Sequence, residues 1–156
     1  MNRWKKENLI QQEWISDKIT QETVDLAKEF GKYLATTDSW VEISRDGKTQ
    51  KEVCGAILTT SQLRRFFGEV KRQQTNGYEE SSFIMLTPKL AYAVGRAKKD
   101  KKGNVRYVKI EDFFMVFEDA IKKVGKSENK QQAFKNFISI FEAIVAYHKA
   151  FVEKDN

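Results

Sequence analysis

His148 and Cys54 are the only histidine and the only cysteine among the 156 residues, so thiol or imidazole catalysis would have to run through that one pair. His148 extends a line of Phe134, Ile138, Phe141 and Val145 at helical spacing, which fits a core histidine better than a base. Zinc would need several carboxylates beside these two groups, and no HxxxH or CxxC spacing exists. The acidic pairs Glu79-Glu80 and Glu111-Asp112 fall in a loop and at a helix N-terminus, where carboxylates complement the helix dipole without any chemistry. Glycine-rich phosphate loops of the GxG type are absent. The expectation is a chain that is not an enzyme and that carries no cofactor and no metal.

Cations are the more informative set. Leu58–Arg72 and Leu86–Lys99 read as short helices that bury one side and present Lys and Arg on another. In the first, Leu63, Phe66, Phe67 and Val70 share a side, and Arg64, Arg65, Lys71 and Arg72 spread across the rest, with Gly68 opening the row to close approach. In the second, Lys89, Tyr92, Arg96 and Lys99 line one side, opposite Leu90, Val94 and Ala97. An aromatic ring inside a cationic row suits a phosphate backbone with bases that can stack. The net charge is +6, and the segment Arg96–Lys109 accounts for all of it: Arg96, Lys98, Lys99, Lys101, Lys102, Arg106 and Lys109 against Asp100. A helix-turn-helix does not fit. More than ten residues separate the two basic helices, and Pro88–Arg96 lacks an Asn or Gln suited to reading base edges.

The stretches LTTSQLRRF, PKLAYAVGR and EAIVAYHK (Glu142–Lys149), in that order and over residues 58–151, resemble the small subunit of the type III-A CRISPR effector, the Csm complex. The resemblance implies a non-catalytic subunit that stacks with copies of itself into an inner filament along the path of the guide RNA and target RNA. RNA cleavage would then belong to the repeated backbone subunit. DNA cleavage and cyclic oligoadenylate synthesis would belong to the large polymerase-like subunit. On the matching motifs, Arg64, Arg65, Lys89 and Arg96 are expected RNA-phosphate contacts; charge geometry adds Lys71, Arg72, Lys98 and Lys99, and Tyr92 is the stacking ring. The competing reading is a protein-protein adaptor whose basic face meets an acidic partner.

Five helices must position these groups. Thr20 caps a first helix to about Ala35, with an Ile19/Val24 staple and a buried side of Val24, Ala27, Phe30 and Leu34. Thr59, with Gln62 returning the bond, starts the second, which ends at Thr75-Asn76-Gly77. Thr87 is read as the N-cap of the third, with Pro88, the only proline, at its first position. The fourth spans about Ile110–Val124 with Ile110, Phe113, Phe114, Phe117, Ala120, Ile121 and Val124 inward, and Met115 and Val116 off the core side. The fifth, about Asn129–Glu153, is apolar over half its circumference and is the expected centre. Its far side carries Ser139, Ala143, Ala146 and Ala150, bordered by Lys135, Glu142 and Lys149, and is read as a contact for another copy. Asp46-Gly47 between alternating runs suggests a hairpin or ordered loop between the first two helices.

The expected fold is therefore all-α, a compact bundle of about five helices in one domain over residues 1–156, with residues 1–16 mobile or loosely docked. A chain of this length buries about 70% of the surface it exposes when unfolded. The lone cysteine fits a reducing compartment. No run reaches the roughly 20 apolar residues of a membrane span, and Met1–Lys18 has no signal-peptide core. Cytoplasmic location and no membrane partner are expected.

Overall fold

The computed structural model describes residues 3–43, 45–48, 50–55, 57–99, 105–106 and 108–152, with backbone alone for 38–43, 50–55, 97–99 and 105–106. Helices α1 (Gln12–Ser16), α2 (Gln21–Ala35), α3 (Thr60–Asn76), α4 (Glu80–Ile84), α5 (Leu86–Lys99), α6 (Val108–Gly125) and α7 (Lys130–Phe151) form an all-α bundle. Strands β1 (Asp38–Ile43) and β2 (Gln50–Gly55) make the anticipated hairpin, pairing Asp38 with Gly55 through Ile43 with Gln50. Its turn contains Gly47 at φ +73°, and the Lys48 N–H donates to Asp46 Oδ1 at 3.0 Å. A third strand, β3 (Val105–Arg106), lies parallel to β2 with Cys54 opposite Val105.

Helix α7 is the centre, contacted by α1, α2, α3 and α6. Phe137, Phe141, Phe117 and Phe113 interlock there: Phe117 and Phe141 meet edge-on at 5.1 Å, and Phe83 joins Phe137 at 5.0 Å and 90°. Edge-to-face rings add to what their buried area contributes. Helices α2 and α7 cross closely. Gly31 sits where a Cβ would lie 2.8 Å from Tyr147 Cβ, 2.9 Å from the His148 amide nitrogen and 2.9 Å from the Ile144 carbonyl oxygen. Only hydrogen fits between the two backbones.

His148 belongs to this crossing. It is fully buried, and its Nε2–H donates to the Leu58 carbonyl, while the Leu58 N–H donates to the Leu34 carbonyl at 3.0 Å. The imidazole thus ties the entry of α3 to α7, and burial pushes its pKa below the ordinary 6.5. A folded-state pKa below the unfolded one means that the unfolded chain takes up the proton first. Stability is then complete above about pH 6.5 and falls as pH drops below it. With one histidine in the chain, urea midpoints measured between pH 7 and 5.5 should fall in the parent. This decline should flatten in His148→Leu, which should also be less stable by about 1–3 kcal/mol because it orphans the Leu58 carbonyl.

Several sequence expectations change. The N-terminal stretch places Ile10, Trp14 and Ile15 in the core, and Asn136 Nδ2 donates to the Ile15 carbonyl at 2.9 Å. Helix α5 begins at Leu86, not at a Thr87 cap, because α4 feeds into it through Met85 in helical conformation; Pro88 still falls in the first turn, where no amide bond is lost. Val116 is buried, not off the core side, and Met115 is half-buried. Asp112 does more than complement a dipole. Buried at the start of α6, it accepts from Arg3 Nη2 at 3.0 Å, from the Trp4 amide at 3.0 Å and from the Tyr33 hydroxyl. Burial, then that carboxylate, raises the Tyr33 pKa and keeps the phenol protonated. Lys109 leaves the basic run for the interior. Its ammonium donates to the Tyr33 carbonyl at 2.7 Å and lies 3.7 Å from the centre of the Tyr33 ring.

Candidate nucleic-acid interface

Helix α3 starts as the sequence dictates. The Thr59 hydroxyl accepts the Gln62 amide at 3.1 Å and the Gln62 side chain accepts the Thr59 amide at 2.9 Å. Leu63 and Val70 are buried, with Phe66 and Phe67 half-buried beside them. That anchorage leaves Arg64, Arg65, Lys71 and Arg72 exposed. On α5, Leu90 and Val94 are buried, so Lys89, Tyr92 and Arg96 point outward, Tyr92 at 69% exposure.

The two helices bound a cleft of about 380 Å³. Gln62, Arg65, Phe66 and Glu69 line it from α3, Lys89, Tyr92, Ala93 and Arg96 from α5, and Ile110 from α6. The Arg96 guanidinium lies 5.9 Å from the centre of the Tyr92 ring. Glu69 accepts from Arg72 Nη1 at 3.0 Å and stands 3.6 Å from Lys89 Nζ. Both pairs are exposed and so worth little, and a phosphate can replace Glu69 as the partner of Lys89. Among the described residues neither Arg65 nor Arg96 is ion-paired.

The cations expected along the two helices regroup across them into two clusters. Arg65, Lys89, Tyr92 and Arg96 converge on the cleft, with Arg72 tied to it through Glu69. Arg64 and Lys71 lie on the other flank of α3, where Lys71 Nζ bonds Glu142 Oε1 of α7 at 2.7 Å and sits 5.7 Å from the Phe67 ring. Glu142 is thus engaged within the chain. Gly68 is exposed with nothing within 4 Å of an added Cβ. The side chains of Lys98 and Lys99, like residues 100–104, lie outside the described residues, as does the Cys54 side chain. Glu69 and Ile110 escaped the sequence reading as parts of the cleft; for Glu69 the signal was available in its i,i+3 spacing to Arg72.

A scan against protein-family models matches Csm2 Type III-A over residues 43–154, more than two thirds of the chain. The chain belongs to the Csm2 Type III-A family. It is a small subunit of the type III-A Csm complex, as its three motifs implied. Comparison with curated proteins and with solved structures gave no match. The Csm2 match runs from the end of β1 through α7, so it contains both walls of the cleft, whereas α1 and α2 precede it. Among the described residues no group of three or more His, Cys, Asp or Glu could hold a metal ion, and no helix is long and apolar enough to cross a membrane.

Proposed function

We propose that this Csm2-family protein is a non-catalytic RNA-binding subunit that supports the guide RNA and target RNA of the complex through the α3–α5 cleft. The convergence of Arg65, Lys89, Tyr92 and Arg96 on one cleft carries the reading. Cations from two helices offer a backbone several phosphate contacts at once, and the aromatic ring between them suits single strands. Binding of homopolymeric single-stranded RNA by the isolated protein should be weak, indifferent to sequence and strongly reduced by salt, with about 0.7 counterions released per phosphate contact. A pronounced preference for one sequence would overturn it.

Assembly follows from the other side of α7. Ser139, Ala146 and Ala150 are exposed, with Ala143 half-buried between them, and small side chains let a second helix approach closely. In the proposed inner filament this side meets a different surface of the next copy, the head-to-tail arrangement that builds open chains. It would stand beside the repeated backbone subunit and the large polymerase-like subunit. Ala146→Arg should leave the isolated chain as stable as the parent and reduce the number of small-subunit copies in the complex, read by native mass spectrometry. An unchanged copy number would move the contact elsewhere.

A further inference from the structure

The α3–α5 cleft is more than a row of charges, because its floor is apolar. Phe66 and Ile110 lie at its base, while Arg65, Lys89 and Arg96 surround them and Tyr92 stands largely exposed at the side. A phosphate backbone alone has no use for that floor. A carboxylate-bearing peptide would match the cations but not a flat aromatic wall. An unpaired nucleotide matches both, since its base is a planar apolar body and its phosphates are anionic. The size agrees: about 380 Å³ is at the small end of the ~300–1,000 Å³ typical of small-molecule sites.

Resting on the RNA-binding reading above, we propose that this cleft receives a single unpaired nucleotide, its base stacked on Tyr92 above Phe66 and Ile110 and its flanking phosphates held by Arg65 and Arg96. Lys89 then exchanges Glu69, 3.6 Å away, for phosphate. Glu69 keeps Arg72 at 3.0 Å and Gln62 Oε1 keeps the Thr59 amide at 2.9 Å, so neither acceptor is free to select among bases. The site therefore tolerates any sequence and discriminates instead between single strands, whose bases can leave the stack, and duplex, whose bases cannot without unpairing.

The test compares three probes on the full chain by fluorescence anisotropy: an oligouridine, a ribose-phosphate oligomer of equal length without bases, and an RNA duplex. The parent should bind the oligouridine about tenfold more tightly than the abasic oligomer, the size of effect that stacking supplies. Tyr92→Ala should erase most of that difference and Tyr92→Phe should retain it; both changes are at an exposed position, and circular dichroism should match the parent. A 5-iodouridine oligomer should photo-crosslink to the peptide containing Tyr92. Equal binding of the uridine and abasic oligomers, with strong salt dependence, would overturn the base pocket and leave the RNA-binding reading standing. Tighter binding of the duplex would also overturn the pocket. Failure to bind any of the three would overturn both.

Discussion

Gly31→Ala is expected to lower the melting temperature by about 4–8 °C, although alanine is the better helix former. Helix propensity alone would return about 1 kcal/mol. The new methyl, however, would stand 2.8–2.9 Å from Tyr147 Cβ, the His148 amide nitrogen and the Ile144 carbonyl oxygen, and two of those three are backbone. Backbone on the central helix cannot swing aside as a side-chain tip can, so α2 and α7 must separate. Overpacking of that kind costs about 3 kcal/mol at the upper end of its usual range, leaving a net loss of about 2 kcal/mol. For a domain of this size each kcal/mol shifts the midpoint by about 2–4 °C. Gly31→Leu should prevent folding. Gly68→Ala supplies the contrast, because its Cβ meets nothing within 4 Å and the same propensity gain, about 1 kcal/mol, should appear undiminished as a rise of about 2–4 °C. Thermal denaturation followed at the helical signal checks all three. Equal stability of Gly31→Ala and the parent would mean that α2 and α7 do not approach this closely.

The same crossing shows what could be read from residue order and what could not. The caps of α2 and α3 and the hairpin turn at Asp46-Gly47 are local: each is written within three or four neighbouring residues, and each appears where the sequence places it. The apolar lines of α6 and α7 are periodic, so most of their burial also follows from spacing; on α6 the exceptions are Phe114, expected inward and only half-buried, and Val116, buried because ten buried positions widen that face beyond one stripe. Distant contacts carry no such signature. Asp112 gathers Arg3 and Trp4 from more than 100 residues away and Tyr33 from 79, and it is this node that seats the polar N-terminus. Lys109 looks like one more member of a basic run until the Tyr33 carbonyl removes it. Helix α4 is short, and its cap is Glu79, whose carboxylate accepts the Ser81 and Ser82 amides; the Ser82 bonds hold its pKa below the usual carboxylate range. For the candidate site, residue types and helix faces were legible. Their grouping was not, because the division of α3 into a cleft flank and an α7 flank depends on how α5 and α7 pack around it.

That division makes unequal mutational effects the sharpest check on the proposed function. Arg65→Ala with Arg96→Ala should weaken binding of oligouridine far more than Arg64→Ala with Lys71→Ala, although each pair removes two positive charges. Arg65 and Arg96 converge on the cleft, and among the described residues neither is held by a carboxylate. Lys71 lies on the other flank, and phosphate would have to displace its 2.7 Å bond to Glu142, a shorter contact than the 3.6 Å between Lys89 and Glu69. The slope of log affinity against log salt should fall by about 1.4 for the cleft pair, two contacts at about 0.7 each, and by about half that or less for the other pair. All four positions are exposed, so circular dichroism should remain that of the parent. Equal losses in the two double variants would spread the contact over the whole exposed surface of α3 and remove the cleft from its centre. A loss confined to Arg64 and Lys71 would turn the α7 flank, beside Gly68 and the alanine side proposed for assembly, into the RNA path. In that case the filament contact and the RNA contact would compete for one surface, and Ala146→Arg should then alter RNA binding as well as copy number. The proposed arrangement expects those two effects to be independent, because the cleft is lined by α3, α5 and α6 and none of its lining residues comes from α7.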